Sequence, residues 1–108
     1  MDVKEYQERA LATAIYGKGH SIIYPTLGMT GEAGEVADKV KKVLRDNDGR
    51  FTPEVKANII AEVGDVLWYI NALARDLGYT LEQVMEMNIE KLESRKARNA
   101  IHGSGDNR

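Results

Sequence analysis

Two short stretches of this sequence hold the residues best suited to chemistry. Glu32-Ala33-Gly34-Glu35 and Glu62-Val63-Gly64-Asp65 each place two acids three residues apart, with a glycine just before the second acid. On a helix, positions i and i+3 share a face, with Cβ atoms roughly 5–6 Å apart. Two such pairs turned toward each other bring four carboxylates around one point. At an effective dielectric near 20, each like-charged pair about 5 Å apart costs on the order of 3 kcal/mol. A fold that keeps this repulsion needs a cation among the acids, so the pattern predicts a divalent-metal site at Glu32, Glu35, Glu62 and Asp65. One pair alone is most simply a solvated helix flank; two pairs with the same offset on neighbouring helices shift the balance toward a site. Four oxygen donors suit a hard cation, Mg²⁺ or Mn²⁺, better than zinc or copper.

The acids need two paired helices to hold them, and the pattern of apolar residues supplies these. Val3, Tyr6, Ala10, Leu11 and Ala14 recur at helical spacing, predicting a helix over about 2–16 that Gly17-Lys18-Gly19-His20 ends. Pro25 suits the first turn of a second helix running to about residue 45, before the turn signal Asp46-Asn47-Asp48-Gly49. Thr52 caps a third helix, with Pro53 at its first position and Gly78 closing it, so that it covers about 53–77. Thr80 and Gln83 form a capping box for a fourth, over about 80–98. The tail Gly103-Ser104-Gly105-Asp106-Asn107-Arg108 has no periodicity and is expected to be extended or mobile. No stretch alternates like a strand. The expected fold is all-α, four-helix bundle-like, with one domain across 1–108.

On a helical wheel, Met29, Val36, Val40 and Val43 make the apolar stripe of the second helix, flanked by Glu32, Glu35, Lys39 and Lys42. In the third, Ile59, Val63, Val66, Ile70 and Leu73 make the stripe, flanked on the same side by Asn58, Glu62, Asp65 and Tyr69. Both acid pairs therefore border the core, where packed helices form a cleft. Lys39 and Lys42 either serve that cleft or neutralise Glu35 as near neighbours on their own helix. Gly31, Gly34 and Gly64 each cost a helix about 1 kcal/mol relative to alanine. Gly34 and Gly64 point away from the acids, which suits close approach of another helix from behind. Trp68 lies on that back face, covered either by a second subunit or by the first helix. Asn88, Lys91 and Arg95 share an edge of the fourth helix. Such charges are commonly plain surface, but beside an acidic metal cleft they offer an amide, a point charge and a forked donor for phosphate oxygens.

Composition narrows the classes. With 108 residues, 43% apolar and 30% charged, the chain reads as one soluble globular domain. Cysteine is absent, which removes disulfides and thiolate chemistry and fits a cytoplasmic setting. A net charge of −2 argues against nucleic acid as a partner. No apolar run is long enough to span a membrane, and the polar start Met1-Asp2-Val3-Lys4-Glu5 lacks a signal-peptide core. Neither His20 nor His102 has a glutamate three residues earlier, so the Glu-x-x-His pair of di-iron bundles is missing. There is no Gly-x-x-x-x-Gly-Lys-Ser/Thr phosphate loop either.

ExxE followed, after a spacer, by ExxD resembles the signature of the MazG-like nucleoside triphosphate pyrophosphohydrolases, in the all-α NTP pyrophosphatase superfamily. The residues are 31–38 and 62–69, with Asn88-Ile89-Glu90-Lys91-Leu92 and Arg95, Glu5-Tyr6-Gln7 and the closing Gly-Ser-Gly-Asp-Asn-Arg adding to the likeness. The resemblance implies Mg²⁺-dependent hydrolysis of a nucleoside triphosphate between its α and β phosphates, giving a monophosphate and pyrophosphate. It implies Glu32, Glu35, Glu62 and Asp65 as metal ligands, and Asn88, Lys91 and Arg95 as groups that meet metal or phosphate. Glu35 or Glu62 would then orient or deprotonate the attacking water, and Lys39, Lys42, Lys91 and Arg95 would stabilise the leaving pyrophosphate. It also implies a homodimer or a dimer of dimers, with sites near the subunit interface. The rival readings are a related pyrophosphohydrolase acting on another substrate, such as phosphoribosyl-ATP, and a non-catalytic helical dimer that binds metal or nucleotide.

Overall fold

Helix α1 spans Val3–Leu11, α2 Ile23–Asp46, α3 Pro53–Asp76 and α4 Leu81–Ala97, with a single 3₁₀ turn at Lys18–His20. The computed structural model describes residues 1–106 and 108, and no strand occurs among them; Asn107, part of the expected tail, lies outside the described residues. The caps of α3 and α4 are those the sequence predicts. Thr52 Oγ1 accepts the Val55 amide at 3.2 Å with Pro53 in the first turn, and Thr80 and Gln83 bond each other's amides at 3.1 and 2.9 Å. Asp2 caps α1 by accepting the Glu5 amide at 2.8 Å. Gly49, at φ +73°, returns its N–H to Val43 O at 3.1 Å and turns the chain out of α2.

Helix α1 is shorter than its apolar spacing predicts, ending at Leu11 rather than near residue 16. The cause lies far along the chain. The Trp68 indole N–H donates to Ala10 O (3.1 Å) and to Thr13 Oγ1 (2.8 Å), taking up the end of the helix. Tyr16 leaves the helical path to donate its hydroxyl to Asp76 Oδ2 at 2.9 Å. Trp68 is thus covered by the first helix, one of the two environments open to it. Helix α2 begins two residues before Pro25, directly after Ile22 at φ 67°, ψ −55°.

Helices α2 and α3, joined by a short loop, pack antiparallel along their length, and α1 lies across α3 and the start of α4. Gln7 secures that crossing: its carbonyl accepts Asn71 Nδ2 at 3.4 Å and its Oε1 accepts the Glu82 amide at 2.8 Å. The core is thin, with Ala10, Pro25, Val43, Ala72, Ala74 and Leu81 as its buried apolar residues. The chain exposes 7886 Å², whereas a folded monomer of this mass exposes about 6,000 Å². Its radius of gyration, 16.8 Å, likewise exceeds the ~13 Å of a closed domain of this length. Ile60, Val63 and Leu67 on α3, and Met85, Ile89 and Leu92 on α4, form stripes at helical spacing that remain open. A Cβ at Gly31, Gly34 or Gly64 would meet nothing within 4 Å, so no helix of the same chain approaches there.

Candidate active site

The antiparallel pairing of α2 and α3 brings Glu32 from one helix against Glu62 and Asp65 from the other. One carboxylate oxygen from each lies within 4.8 Å of the other two. The Glu32 carboxyl is pushed up, first by a hydrogen bond to Glu62, then by burial and by the charges of Asp65, Glu62 and Glu35. Glu62 is pulled down, first by Lys39, whose Nζ is 3.1 Å from its Oε1, and then by the hydrogen bond from Glu32. The neighbouring carboxylates thus oppose the ionisation of Glu32. The trio therefore holds more negative charge than its surroundings neutralise. The all-oxygen donor set fits a hard dication, which would supply the missing charge.

The other acid and the two lysines of α2 are placed differently. Glu35, one turn beyond Glu32, is exposed and outside the trio, although its charge still acts on Glu32. Lys39 crosses to α3, donating to Asn58 O at 3.2 Å as well as pairing with Glu62. Lys42 pairs with Asp38 at 2.8 Å, and Lys41 takes the other oxygen of the same carboxylate at 2.8 Å. Asp38 is lowered to about 2 by these two ammonium groups. Neither Lys39 nor Lys42 takes Glu35 as its partner.

Glu32 and Asp65 also line a cleft of about 400 Å³, whose other walls include Tyr16, Tyr24, Trp68 and Tyr69. These rings form a row. Tyr16 stacks on Tyr24 with centroids 4.9 Å apart, Tyr24 lies 6.2 Å from Tyr69, and Trp68 meets Tyr69 edge-on at 5.0 Å. Burial, then the Tyr24 hydroxyl, and then the charges of Glu32 and Asp65 raise the Tyr69 hydroxyl above its usual value. Gly28 makes room for this ring, since a Cβ there would come within 2.6 Å of Tyr69 Cδ1. Tyr69 stands on the acid flank of the α3 wheel, four residues after Asp65, so its place was open to sequence reading. Tyr16, Tyr24 and Gly28 carried no such signal.

The α4 residues lie apart from the acids. Asn88 and Lys91 line a separate groove with Tyr79, Val84 and Met87. Lys91 Nζ and Arg95 Nη2 both meet Asp106 Oδ1, at 3.1 and 3.2 Å. Arg95 is buried, and its Nε has no hydrogen-bond partner among the described residues. The described tail residues are not extended, contrary to what their lack of periodicity predicts: the Asp106 contact folds them back against α4.

Two long antiparallel helices thus present a carboxylate trio to an aromatic cleft, an arrangement able to hold a metal ion. Comparison with known proteins gives the family: residues 23–99 match the MazG nucleotide pyrophosphohydrolase domain, and the chain belongs to that family. A relative from Mycobacterium phage L5, called Gene 37 protein, is 50% identical over 114 residues, covering 100% of both chains. That name describes no activity. No solved structure matches the chain.

Proposed function

We propose that the protein hydrolyses nucleoside triphosphates between the α and β phosphates, releasing a nucleoside monophosphate and pyrophosphate, with Mg²⁺ as cofactor and Mn²⁺ as a substitute. The observation that carries this reading is the joining of Glu32 and Asp65 to the aromatic cleft: one end suits a metal-bound polyphosphate and the other a planar base. Glu32, Glu62 and Asp65 would hold the ion, with Glu35, one turn along α2 from Glu32, as the fourth candidate ligand. When bound, the ion supplies charge neutralisation for the triphosphate and a more acidic water. Glu62 is the better of the two candidate bases. It stands within the trio, held by Lys39 at 3.1 Å, where it would orient the attacking water, whereas Glu35 stands outside. Tyr24 and Tyr69, which line the cleft, would meet the base and sugar. Lys91 and Arg95 already converge on one carboxylate oxygen, which is the geometry a phosphate oxygen would use. Their part in the reaction, with that of Asn88, therefore involves displacement of Asp106. Lys42, paired with Asp38, would add positive potential to the approach of the leaving pyrophosphate.

We also propose that the working unit is a homodimer or dimer of dimers. The surface excess of roughly 1,900 Å² over a closed monomer is what each chain of an obligate pair hides. The open stripes and glycines mark where it would be hidden. Among the described residues no helix is long and apolar enough to cross a membrane. The test of the reaction is pyrophosphate release across a panel of ribo- and deoxyribonucleoside triphosphates and phosphoribosyl-ATP, with Mg²⁺ and Mn²⁺. Monophosphate and pyrophosphate in equal amounts support the reading. Tight nucleotide binding with no product would replace it with a sensor.

A further inference from the structure

The segment between α1 and α2 is held in a conformation that its own sequence disfavours. Ile23 N–H donates back to Ser21 O at 2.7 Å across Ile22, which sits at φ 67°, ψ −55°. This is a γ-turn of the rare, strained hand, and its central residue is β-branched, the type least tolerant of positive φ. Such a turn persists only when its surroundings over-determine it, and here they do. The Ile22 N–H points at Asp76 Oδ2, 3.0 Å away. The same oxygen accepts the Tyr16 hydroxyl at 2.9 Å, while Asp76 Oδ1 takes Arg75 Nε at 3.2 Å. Arg75 Nη2 closes the circuit by donating to the Tyr16 hydroxyl at 3.0 Å. The Asp76 side chain is 5% exposed, so water competes little for these bonds.

One carboxylate thus fixes the α1–α2 connection at two points. Tyr16 lies midway along it and Ile22 at its end, and two residues after Ile22 comes Tyr24, the ring on which Tyr16 stacks. Both rings line the cleft that Glu32 and Asp65 also line. Asp76 itself is absent from that lining, and it stands three turns beyond Asp65 on α3.

We infer that Asp76 is a positioning residue: through Tyr16 and the strained Ile22 turn it sets the Tyr16–Tyr24 stack that receives the base of the nucleotide. The inference rests on the reading that the cleft takes a nucleoside phosphate, and it deepens that reading by naming the group that shapes its base-facing wall. Loosening Asp76 releases the turn, lets Tyr24 rotate with the start of α2 and separates the stacked pair, while Glu32, two turns further along α2, and its partners Glu62 and Asp65 on α3 stay in place. The expected signature is a loss of base affinity and base preference with no loss of metal affinity.

The experiment compares wild type, Asp76→Ala, Asp76→Asn and Tyr16→Phe by two measurements. Mn²⁺ affinity is read by electron paramagnetic resonance, and binding of the four common nucleoside monophosphates with Mn²⁺ present is read by calorimetry. Asp76→Ala should bind nucleotides at least tenfold more weakly and flatten the differences among bases, at unchanged Mn²⁺ affinity. Asp76→Asn keeps an oxygen for both Tyr16 and Ile22 and should stay within about threefold of wild type. Tyr16→Phe keeps the ring but cuts the tie, and should fall between them, which preserves the test if the alanine variant does not fold. In amide spectra the Ile22 proton should be slow to exchange in wild type and Asp76→Asn, and fast in Asp76→Ala. Wild-type nucleotide affinity and base preference in both Asp76→Ala and Tyr16→Phe overturn the inference, as does a parallel fall in Mn²⁺ affinity. A wild-type protein that binds Mn²⁺ but no nucleotide overturns the reading of the cleft instead.

Discussion

Substituting Gly28 by alanine tests whether the Tyr69 ring occupies the site that the geometry assigns to it. Ordinary carbon–carbon contact is about 3.5–4 Å, whereas the new Cβ would lie 2.6 Å from Cδ1, with two further ring carbons in the same crowd. Relief requires the ring, or α2 against α3, to move by roughly 1 Å. The ring has little room to do so, with Trp68 edge-on at 5.0 Å and Tyr24 at 6.2 Å. Overpacking of this kind costs typically about 1–3 kcal/mol, and the helix recovers about 1 kcal/mol by exchanging glycine for alanine. The net expectation is a folded protein destabilised by about 0–2 kcal/mol, a loss of up to roughly 10 °C in Tm for a domain of this size. Function should suffer more than stability, because a shift near 1 Å in a positioning group can reduce turnover as much as ~100-fold. Thermal melts by circular dichroism and steady-state pyrophosphate release measure the two effects separately. A Gly28→Ala protein with wild-type KM and kcat, and a Tm raised by the gain in helix propensity, would refute the placement of Tyr69 over α2.

Replacing Glu32, Glu62 or Asp65 by alanine should weaken Mn²⁺ binding and abolish Mg²⁺-dependent pyrophosphate release with the helical content intact; two of the three retaining near-wild-type turnover would end the metal assignment. Acid should weaken the α1–α2 clamp. Burial alone would raise the Asp76 carboxyl, but the Ile22 amide, the Tyr16 hydroxyl and Arg75 outweigh it and hold it below the usual range. The unfolded chain, with an aspartate near pKa 3.9, then binds more protons than the folded one. This contribution is accordingly complete above about pH 4 and lost as pH falls through the folded value, and the acid limb of Tm against pH should be shallower in Asp76→Asn. Gly64→Ala should raise stability by about 0.5–1 kcal/mol if α3 faces only water there. If a second copy packs on that face it should instead lower the assembly mass in sedimentation.

The helices were legible because their signals are local. Thr52-Pro53, Thr80 with Gln83 and Asp48-Gly49 act within a few residues, and the structure uses each of them. The shared offset of the acid pairs was legible for the same reason, since a wheel needs only helical spacing to put Glu32 opposite Glu62 and Asp65. The rest depends on contacts that no window along the chain contains. Helix α1 stops early because an indole 58 residues away takes the Ala10 carbonyl. The turn at Ile22 has no glycine or asparagine to announce it, because a carboxylate 54 residues away holds it. Lys39 has Glu35 four residues before it on its own helix, yet its partner is Glu62 on the next. The Asp106 contact with Lys91 and Arg95 was hidden because an aperiodic tail says nothing about where it folds back.

These long-range contacts divide the cleft into parts that can change independently. The carboxylate trio depends on the register of α2 against α3, which the long antiparallel packing of those helices makes stiff. The aromatic wall depends on a short, strained connection and on one buried carboxylate at the far end of α3. A substitution in the connection can therefore reshape the aromatic wall without disturbing the acids, because the two share only the rigid helices between them. Tyr69 is the exception. It sits one turn from Asp65, rests on Gly28 and touches the Tyr24 side of the row, so it couples the acidic end to the aromatic end. If base preference differs among close relatives of this chain, the changes should lie in 13–24 and around Gly28, while the spacing of Glu32, Glu62 and Asp65 stays the same.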